Sequence, residues 1–260
     1  MAPKKKVIIA YDADLTILKE YHMNIALRKY GIDPKEFWEQ VKAVELTQRG
    51  KFDRRTDISW LANILHEVKH GKMKGLTRKH LKEFGKEVHS ILYPGLPEFF
   101  SEIKKASPDL DIQQHIISMG IEKLLRGAKL EVDGVHAYDF YWELDKSSGE
   151  EIDFISNTVS EWDKFGILKS LCDKFDCPLK NVIYFGDGDS DKPTFWVLGL
   201  VGGKRIGVFD KEKANWQEKV EDIKNSVDII LPADYSKDGE IWNKTMEFLG
   251  EIRNNINQKL

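Results

Sequence analysis

The sequence predicts an α/β protein: a Rossmann-like parallel sheet core with helices on both faces, and an inserted α-helical cap. Three observations predict it. Short β-rich apolar runs at residues 7–11, 112–118 and 181–185 read as strands buried on both faces. Each run ends in polar groups, Asp12 and Asp14 after the first, Ser118 in the second, Asp187 after the third. Between the first and second runs, residues 19–92 carry helical spacing and no strand alternation.

The elements follow in order. Val7-Ile8-Ile9-Ala10-Tyr11 is the first strand. Asp33-Pro34 marks a helix start, and Ile58, Leu61, Leu65 and Val68 form an apolar stripe on a later helix. Tyr93-Pro94-Gly95-Leu96-Pro97 breaks the chain, and a helix runs to about Lys105. Residues 112–118 are the second buried strand. Residues 135–144 and 151–159, separated by Ser147-Ser148-Gly149, read as a hairpin. A helix covers 164–175, and the third buried strand runs from Asn181 to Phe185. Two short strands, Ile206–Phe209 and Val227–Leu231, precede a final helix over 239–257. The expected division is a core of residues 1–18 and 93–260 with a cap of residues 19–92.

Composition narrows the function. The 260 residues carry 40 Lys and Arg against 43 Asp and Glu, a net charge of −3. That balance predicts neither a nucleic acid polymer nor a membrane surface as partner. No apolar run approaches the ~20 residues of a membrane span. The start, Pro3 to Val7, looks like a fragment of a basic import signal but reads more simply as a solvated end, and Asp12 and Asp14 spoil the next stretch as a signal-peptide core. Two cysteines, Cys172 and Cys177, make no disulfide framework, so a cytoplasmic location is expected.

The chemistry concentrates in acidic residues. Asp12 and Asp14, two apart at a strand end, point the same way, and close carboxylates favour a shared proton or a bound cation. Their position beyond a buried strand is where open α/β sheets bind ligands. Gly186-Asp187-Gly188-Asp189-Ser190-Asp191 makes an oxygen-rich loop suited to a hard cation. An EF-hand is rejected, because Lys192 stands where its glycine belongs and Leu198 where its glutamate belongs. Ser118 offers a hydroxyl for an oxyanion. Lys164, at a helix start, offers a cation for a phosphate.

Taken in order, Asp12-x-Asp14-x-Thr16, Ser118, Lys164 and Asp187-x-x-x-Asp191 resemble the motifs of the haloacid dehalogenase-like hydrolase superfamily, with Pro94-Gly95 also in the expected place. The layout is similar to its helical-capped, phosphoserine phosphatase-like members. The resemblance implies a phosphoric monoester hydrolase that uses Mg²⁺ and an aspartyl-phosphate intermediate on a small phosphorylated molecule. It implies Asp12 as nucleophile and Asp14 as general acid and base. Mg²⁺ would be held by Asp12, the Asp14 carbonyl and Asp187, with Asp191 in or beside that set. Ser118 and Lys164 would hold the transferring group.

The branch is narrowed by detail. Dehalogenases lack the second acid of the first motif, and transport ATPases carry a Thr-rich motif that is absent here. Two departures stand out: Leu15 replaces the usual glycine before Thr16, and Met119-Gly120-Ile121 follows Ser118 where phosphoserine phosphatases carry a Gly-Gly pair. Lys169, five residues on, competes with Lys164. A phosphomutase or phosphotransferase on the same fold, and a non-catalytic phosphate- or Mg²⁺-binding regulatory module, remain alternatives.

The helical insert reads as a lid. Thr16, Ser118, Arg54 and Arg55 are the candidate substrate-binding residues, with Lys51 beside them. His66-Glu67-Val68-Lys69-His70 matches a zinc-protease signature. Its histidines lie about 100–140° from Leu65 on the helical wheel. Lys69 inside the motif and the lack of a distinguished third ligand argue against zinc.

Overall fold

The structure, a computed structural model, describes residues 3–49, 59–145, 149–157 and 159–254. Seven strands form one sheet: β1 (Lys5–Tyr11), β2 (Leu110–Ile121), β3 (Gly134–Asp145), β4 (Gly149–Asn157), β5 (Val182–Gly186), β6 (Lys204–Phe209) and β7 (Ile229–Pro232). Their spatial order is β4-β3-β2-β1-β5-β6-β7. All neighbours are parallel except β3 and β4, which form the expected antiparallel hairpin at one edge.

β1 lies at the centre because both of its faces are apolar. Val7, Ile9 and Tyr11 join one buried cluster, and Ile8 and Ala10 join the other. Register then sets the site. Tyr11 stands opposite Ile116 of β2 and Phe185 of β5, so the residues just past those positions emerge at one sheet edge. They include Asp12, Ser118 and Asp187.

Ten helices surround the sheet among the described residues. α1 (Met23–Lys29), α2 (Pro34–Arg49), α3 (Ser59–His70) and α4 (Arg78–Phe84) lie between β1 and β2, followed by a 3₁₀ segment at Gly85–Ile91. α5 (Glu98–Ala106) leads into β2, α6 (Glu122–Gly127) leaves it, and α7 (Glu161–Phe175) precedes β5. α8 (Lys192–Val201), α9 (Trp216–Ile223) and α10 (Glu240–Asn254) complete the chain. The start of α2 follows the sequence signal: Asp33 Oδ1 accepts from the amides of Lys35 (2.7 Å) and Glu36 (3.2 Å).

The helical insert leaves and returns through paired backbone. Leu18 bridges Leu92, and the Lys19 amide donates to the Ile91 carbonyl at 2.7 Å. Its apolar residues do not form a core of their own. Leu61, Ile64, Val68 and Leu81 belong to the same buried cluster as Val7 and Ile9.

Several details depart from the sequence reading. The buried face of α3 is Trp60, Leu61, Ile64 and Val68, with Leu65 only half-buried. Trp60 packs edge-on against Tyr138 of β3, at 5.7 Å between centroids, so the buried face includes it. Ile58 lies outside the described residues. α6, α8 and α9 were not anticipated, and β2 is longer at both ends. α8 is apolar without a clean period, and its early Pro193 is tolerated where a helix has amides to spare. Cys172 and Cys177 are buried free thiols. No helix among the described residues is long and apolar enough to cross a membrane.

One histidine pair, with His115 buried and His136 half-buried, couples the fold to pH. His115 on β2 lies 3.3 Å from His136 on β3 and packs against Phe175. Burial, reinforced by His136, lowers the His115 pKa to about 4. The imidazole therefore stays neutral in the folded chain, while an unfolded one protonates below about 6.5. Between those limits the unfolded state holds more protons, so stability falls as pH falls. We predict that urea unfolding shows a loss of about 1 kcal/mol between about pH 7 and pH 5, after allowing for partial screening. His115→Gln should flatten that slope, and an unchanged slope would contradict the assignment.

Candidate active site

Asp12 is fixed first by the sheet. Its amide donates to the Phe185 carbonyl at 2.9 Å, which places its carboxylate between β1 and β5. Lys164 approaches from the first turn of α7. That turn is held by a reciprocal cap: Ser160 Oγ accepts from the Asp163 amide, and Asp163 accepts from the Ser160 amide. The Lys164 side chain is buried except where it lines the cavity. Its ammonium lies 3.1 Å from Asp12 Oδ1 and donates to Asp191 Oδ1 (2.8 Å) and Ser190 Oγ (3.0 Å). Lys169 instead pairs with the exposed Asp173 on the outer face of α7.

Asp191 is saturated by the protein. Besides Lys164 it accepts from the Tyr184 hydroxyl (2.7 Å) and the amides of Asp187 (3.1 Å) and Gly188 (3.4 Å). Gly186 makes this possible, because a Cβ there would collide with the Asp191 carboxyl. Asp191 thus clamps the 186–191 loop to Lys164 and lies behind the cavity wall. Asp187 faces the cavity, accepts from Thr16 Oγ1 at 3.5 Å and pairs with Lys219 of α9 at 2.5 Å. Thr16 is fully buried, where it braces Asp187 and does not line the cavity.

Asp14 is oriented by a residue that the sequence did not single out. His22 is fully buried just before α1. The Ile121 amide donates to its Nε2 at 2.8 Å, which assigns the proton to Nδ1, and Nδ1 lies 2.7 Å from Asp14 Oδ1. The His22 amide reaches the same oxygen at 2.7 Å. Asp14 Oδ1 is therefore occupied, and Oδ2 is the oxygen left to exchange a proton. Gly120 is the matching concession, since a Cβ there would strike the His22 ring. The Met119-Gly120 sequence after Ser118 has this physical reason. The Gly120 amide donates to Ser118 Oγ at 3.0 Å and holds that hydroxyl at the cavity.

Leu15 carries the strain of the first motif. Its φ is 63°, in the left-handed region that glycine adopts freely. The turn closes all the same: the amides of Thr16, Ile17 and Leu18 converge on the Ala13 carbonyl, and Tyr235 Oη donates to the Thr16 carbonyl at 2.8 Å.

The electrostatics lack positive charge. Burial pushes the Asp12 carboxyl well above the usual carboxylate range; Asp191, Asp187 and Asp14 add to this, and Lys164 opposes it. Burial also raises Asp187, against the pull of Lys219. For Lys164, burial opposes the charged form, but Asp12 and Asp191 overcome it and raise its pKa. Carboxylate oxygens of Asp12, Asp187 and Asp191 lie within 4.8 Å of one another, and this is the one such cluster of metal-binding side chains among the described residues. An all-oxygen donor set with excess negative charge fits a hard divalent cation. His66 and His70 fit no such role: both are exposed and join no cluster of potential ligands among the described residues.

These groups line one side of a cavity of about 490 Å³, with Asp12, Asp14, Ser118, Lys164, Asp187 and Lys219 along its floor. Lys51, Arg54 and Arg55 lie outside the described residues. Sequence reasoning missed His22, Lys219, Tyr184 and Ser190. His22 sits eight residues past Asp14 in no motif, and Lys219 is one of many surface-type lysines until α9 turns it inward.

No family model matches the chain. An uncharacterised protein of Borreliella burgdorferi is 24% identical over 276 residues, covering 93% of this chain and 95% of that protein. Among solved structures, a haloacid dehalogenase (HAD) family hydrolase of Salmonella enterica serovar Typhi is 20% identical with a TM-score of 0.62, covering 92% of this chain and 74% of that one. A substrate-bound phosphoserine phosphatase is 18% identical with a TM-score of 0.61 over 96% and 99% of the two chains. A cytosolic 5′-nucleotidase IIIB bound to cytidine is 16% identical with a TM-score of 0.57 over 96% and 86%. The chain has the α/β fold of the HAD phosphatases, in the layout of phosphoserine phosphatase.

The strained turn yields a prediction. A β-branched side chain fits the left-handed region worse than leucine does. Leu15→Val should lower stability by about 1–2 kcal/mol, whereas Leu15→Asn should cost less. Equal unfolding midpoints for the two variants would contradict the turn geometry.

Proposed function

We propose that the protein is a Mg²⁺-dependent phosphatase that hydrolyses a small phosphomonoester through an aspartyl phosphate on Asp12. One observation carries the proposal. A buried carboxylate, Asp12, meets a buried ammonium at 3.1 Å on the floor of a cavity that a second carboxylate, Asp14, also lines. The shared fold supports phosphoryl chemistry on that floor.

The roles follow from position. Asp12 attacks phosphorus, and the bond from phosphorus to the ester oxygen breaks. The departing alkoxide takes a proton from Asp14 Oδ2, the oxygen that His22 leaves open. A water then attacks the aspartyl phosphate and gives its proton to Asp14. The bond to Asp12 breaks, inorganic phosphate leaves, and both carboxyl groups return to their starting states. Lys164 and Ser118 hold the oxygens of the transferring group throughout.

Asp12, the Asp14 carbonyl and Asp187 are the groups that would hold Mg²⁺. When bound, it supplies the positive charge that lets a dianionic phosphate approach a carboxylate. Asp191 acts through Lys164 and the loop amides. The helices of residues 19–92 act as the lid that excludes water and selects the alcohol. An intact Asp14 argues against a purely regulatory module, which needs no group to move protons.

Phosphate release from phosphorylated sugars, nucleotides, amino acids and cofactors tests this directly. Release should require Mg²⁺, stop with EDTA, and vanish in Asp12→Asn while the circular dichroism spectrum is unchanged. Release that persists in Asp12→Asn would refute the nucleophile. Calorimetric titration with Mg²⁺ should show about one site, weakened at least about tenfold in Asp187→Asn. Equal affinity would remove Asp187 from the ligand set.

A further inference from the structure

The helical side of the cavity is chemically unlike its floor. Tyr21 and Trp38 lie at 4.8 Å between ring centroids, and Trp60 continues the row at 6.0 Å from Trp38. All three line the cavity. The Trp38 indole N–H is already spent on Asn24 Oδ1 at 2.7 Å, and the Asn24 amide is tied to Glu20 Oε2 at 2.9 Å. The indole is therefore locked, its polar atom committed to the protein, and its aromatic surface is what remains for a ligand. Tyr21 is 42% exposed and lines the cavity beside it.

Charge gives the complementary argument. On the helical side, Lys42 is the one charged lining residue and no carboxylate lines the wall, among the described residues. The rim carboxylates Asp189 and Asp222 both pair with Lys192. The ammonium of a phosphorylated amino acid would find no unpaired carboxylate on the described wall facing the floor. An apolar, flat group would find a ready surface.

We infer that the alcohol half of the substrate carries a planar aromatic ring, seated against Tyr21 and Trp38 while its phosphate meets Asp12 and Lys164. The inference rests on the phosphatase reading of the floor. Aromatic pairs prefer offset or edge geometries, worth about 0.5–1.5 kcal/mol beyond the area they bury. A ring should thus outperform a saturated group of similar size by about threefold to tenfold.

The experiment separates binding from turnover. Calorimetry on the full chain with Mg²⁺ compares benzylphosphonate with cyclohexylmethylphosphonate, neither of which can be hydrolysed at oxygen. Benzylphosphonate should bind at least about threefold tighter. Tyr21→Leu, at an exposed position where folding is safe, should bring that ratio close to one. Equal or reversed affinities in the unaltered protein, or no binding of benzylphosphonate, would overturn the inference. Hydrolysis of benzyl and cyclohexylmethyl phosphates then tests the other reading. Turnover of both with equal kcat/KM contradicts the aromatic inference and leaves the phosphatase standing. Ring-selective binding without turnover of either supports the aromatic site and contradicts the phosphatase.

Discussion

Lys164 is a fully buried ammonium, and the active end of the sheet is arranged around it. Taking a lysine out of water costs several kcal/mol unless its partners are close and well aimed. Here Asp12, Asp191 and Ser190 surround the nitrogen, and they come from β1 and from the loop after β5. The register of β1 against β5 is therefore also a requirement of charge. A slip of one residue would reverse the faces and strand the ammonium. Asp191 links this cation to Tyr184 and to two loop amides, so one ion pair fixes the shape of the whole 186–191 loop.

The same cluster is unbalanced. Asp12, Asp187 and Asp191 share Lys164 and the more exposed Lys219, while Asp14 is answered by the neutral His22. Burial, reinforced by the neighbouring carboxylates, pushes Asp12 and Asp187 toward their protonated forms. Under the proposed function, a divalent cation would offset the shortage and let a phosphoryl group approach Asp12. One arrangement serves both ends: Asp191 holds Lys164, Tyr184 and the loop amides in place, while Asp12, Asp14, Lys164 and Asp187 line the cavity.

The fold was legible where composition and position coincide. Three apolar runs ending in polar groups gave the central strands, and Ser147-Ser148-Gly149 between β-rich stretches gave the hairpin. Asp12, Asp14, Ser118 and Asp187 reach the cavity because strand ends carry side chains to a shared edge, and Lys164 joins them from the first turn of α7. Thr16 and Asp191 converge there too but face inward. His22 and Lys219 were illegible because their roles depend on how helices pack, which no spacing encodes. The α3 stripe takes in Trp60 and Ile64, where Trp60 meets Tyr138 far along the chain, a contact that local spacing does not encode. Leu15 was visible as a departure, but only the positive φ shows that the turn keeps its shape at a cost.

The proposed function requires Asp12 to accept a phosphoryl group beside a divalent cation, whatever the natural ester is. Beryllofluoride mimics a phosphoryl group on a carboxylate and needs no knowledge of the substrate. The decisive measurement is ¹⁹F NMR of the protein with beryllofluoride, with and without Mg²⁺, and with Asp12→Asn as control. Bound fluoride resonances that require both Mg²⁺ and the Asp12 carboxylate are expected. Resonances that survive in Asp12→Asn, or none in the unaltered protein with Mg²⁺, would contradict the proposed function.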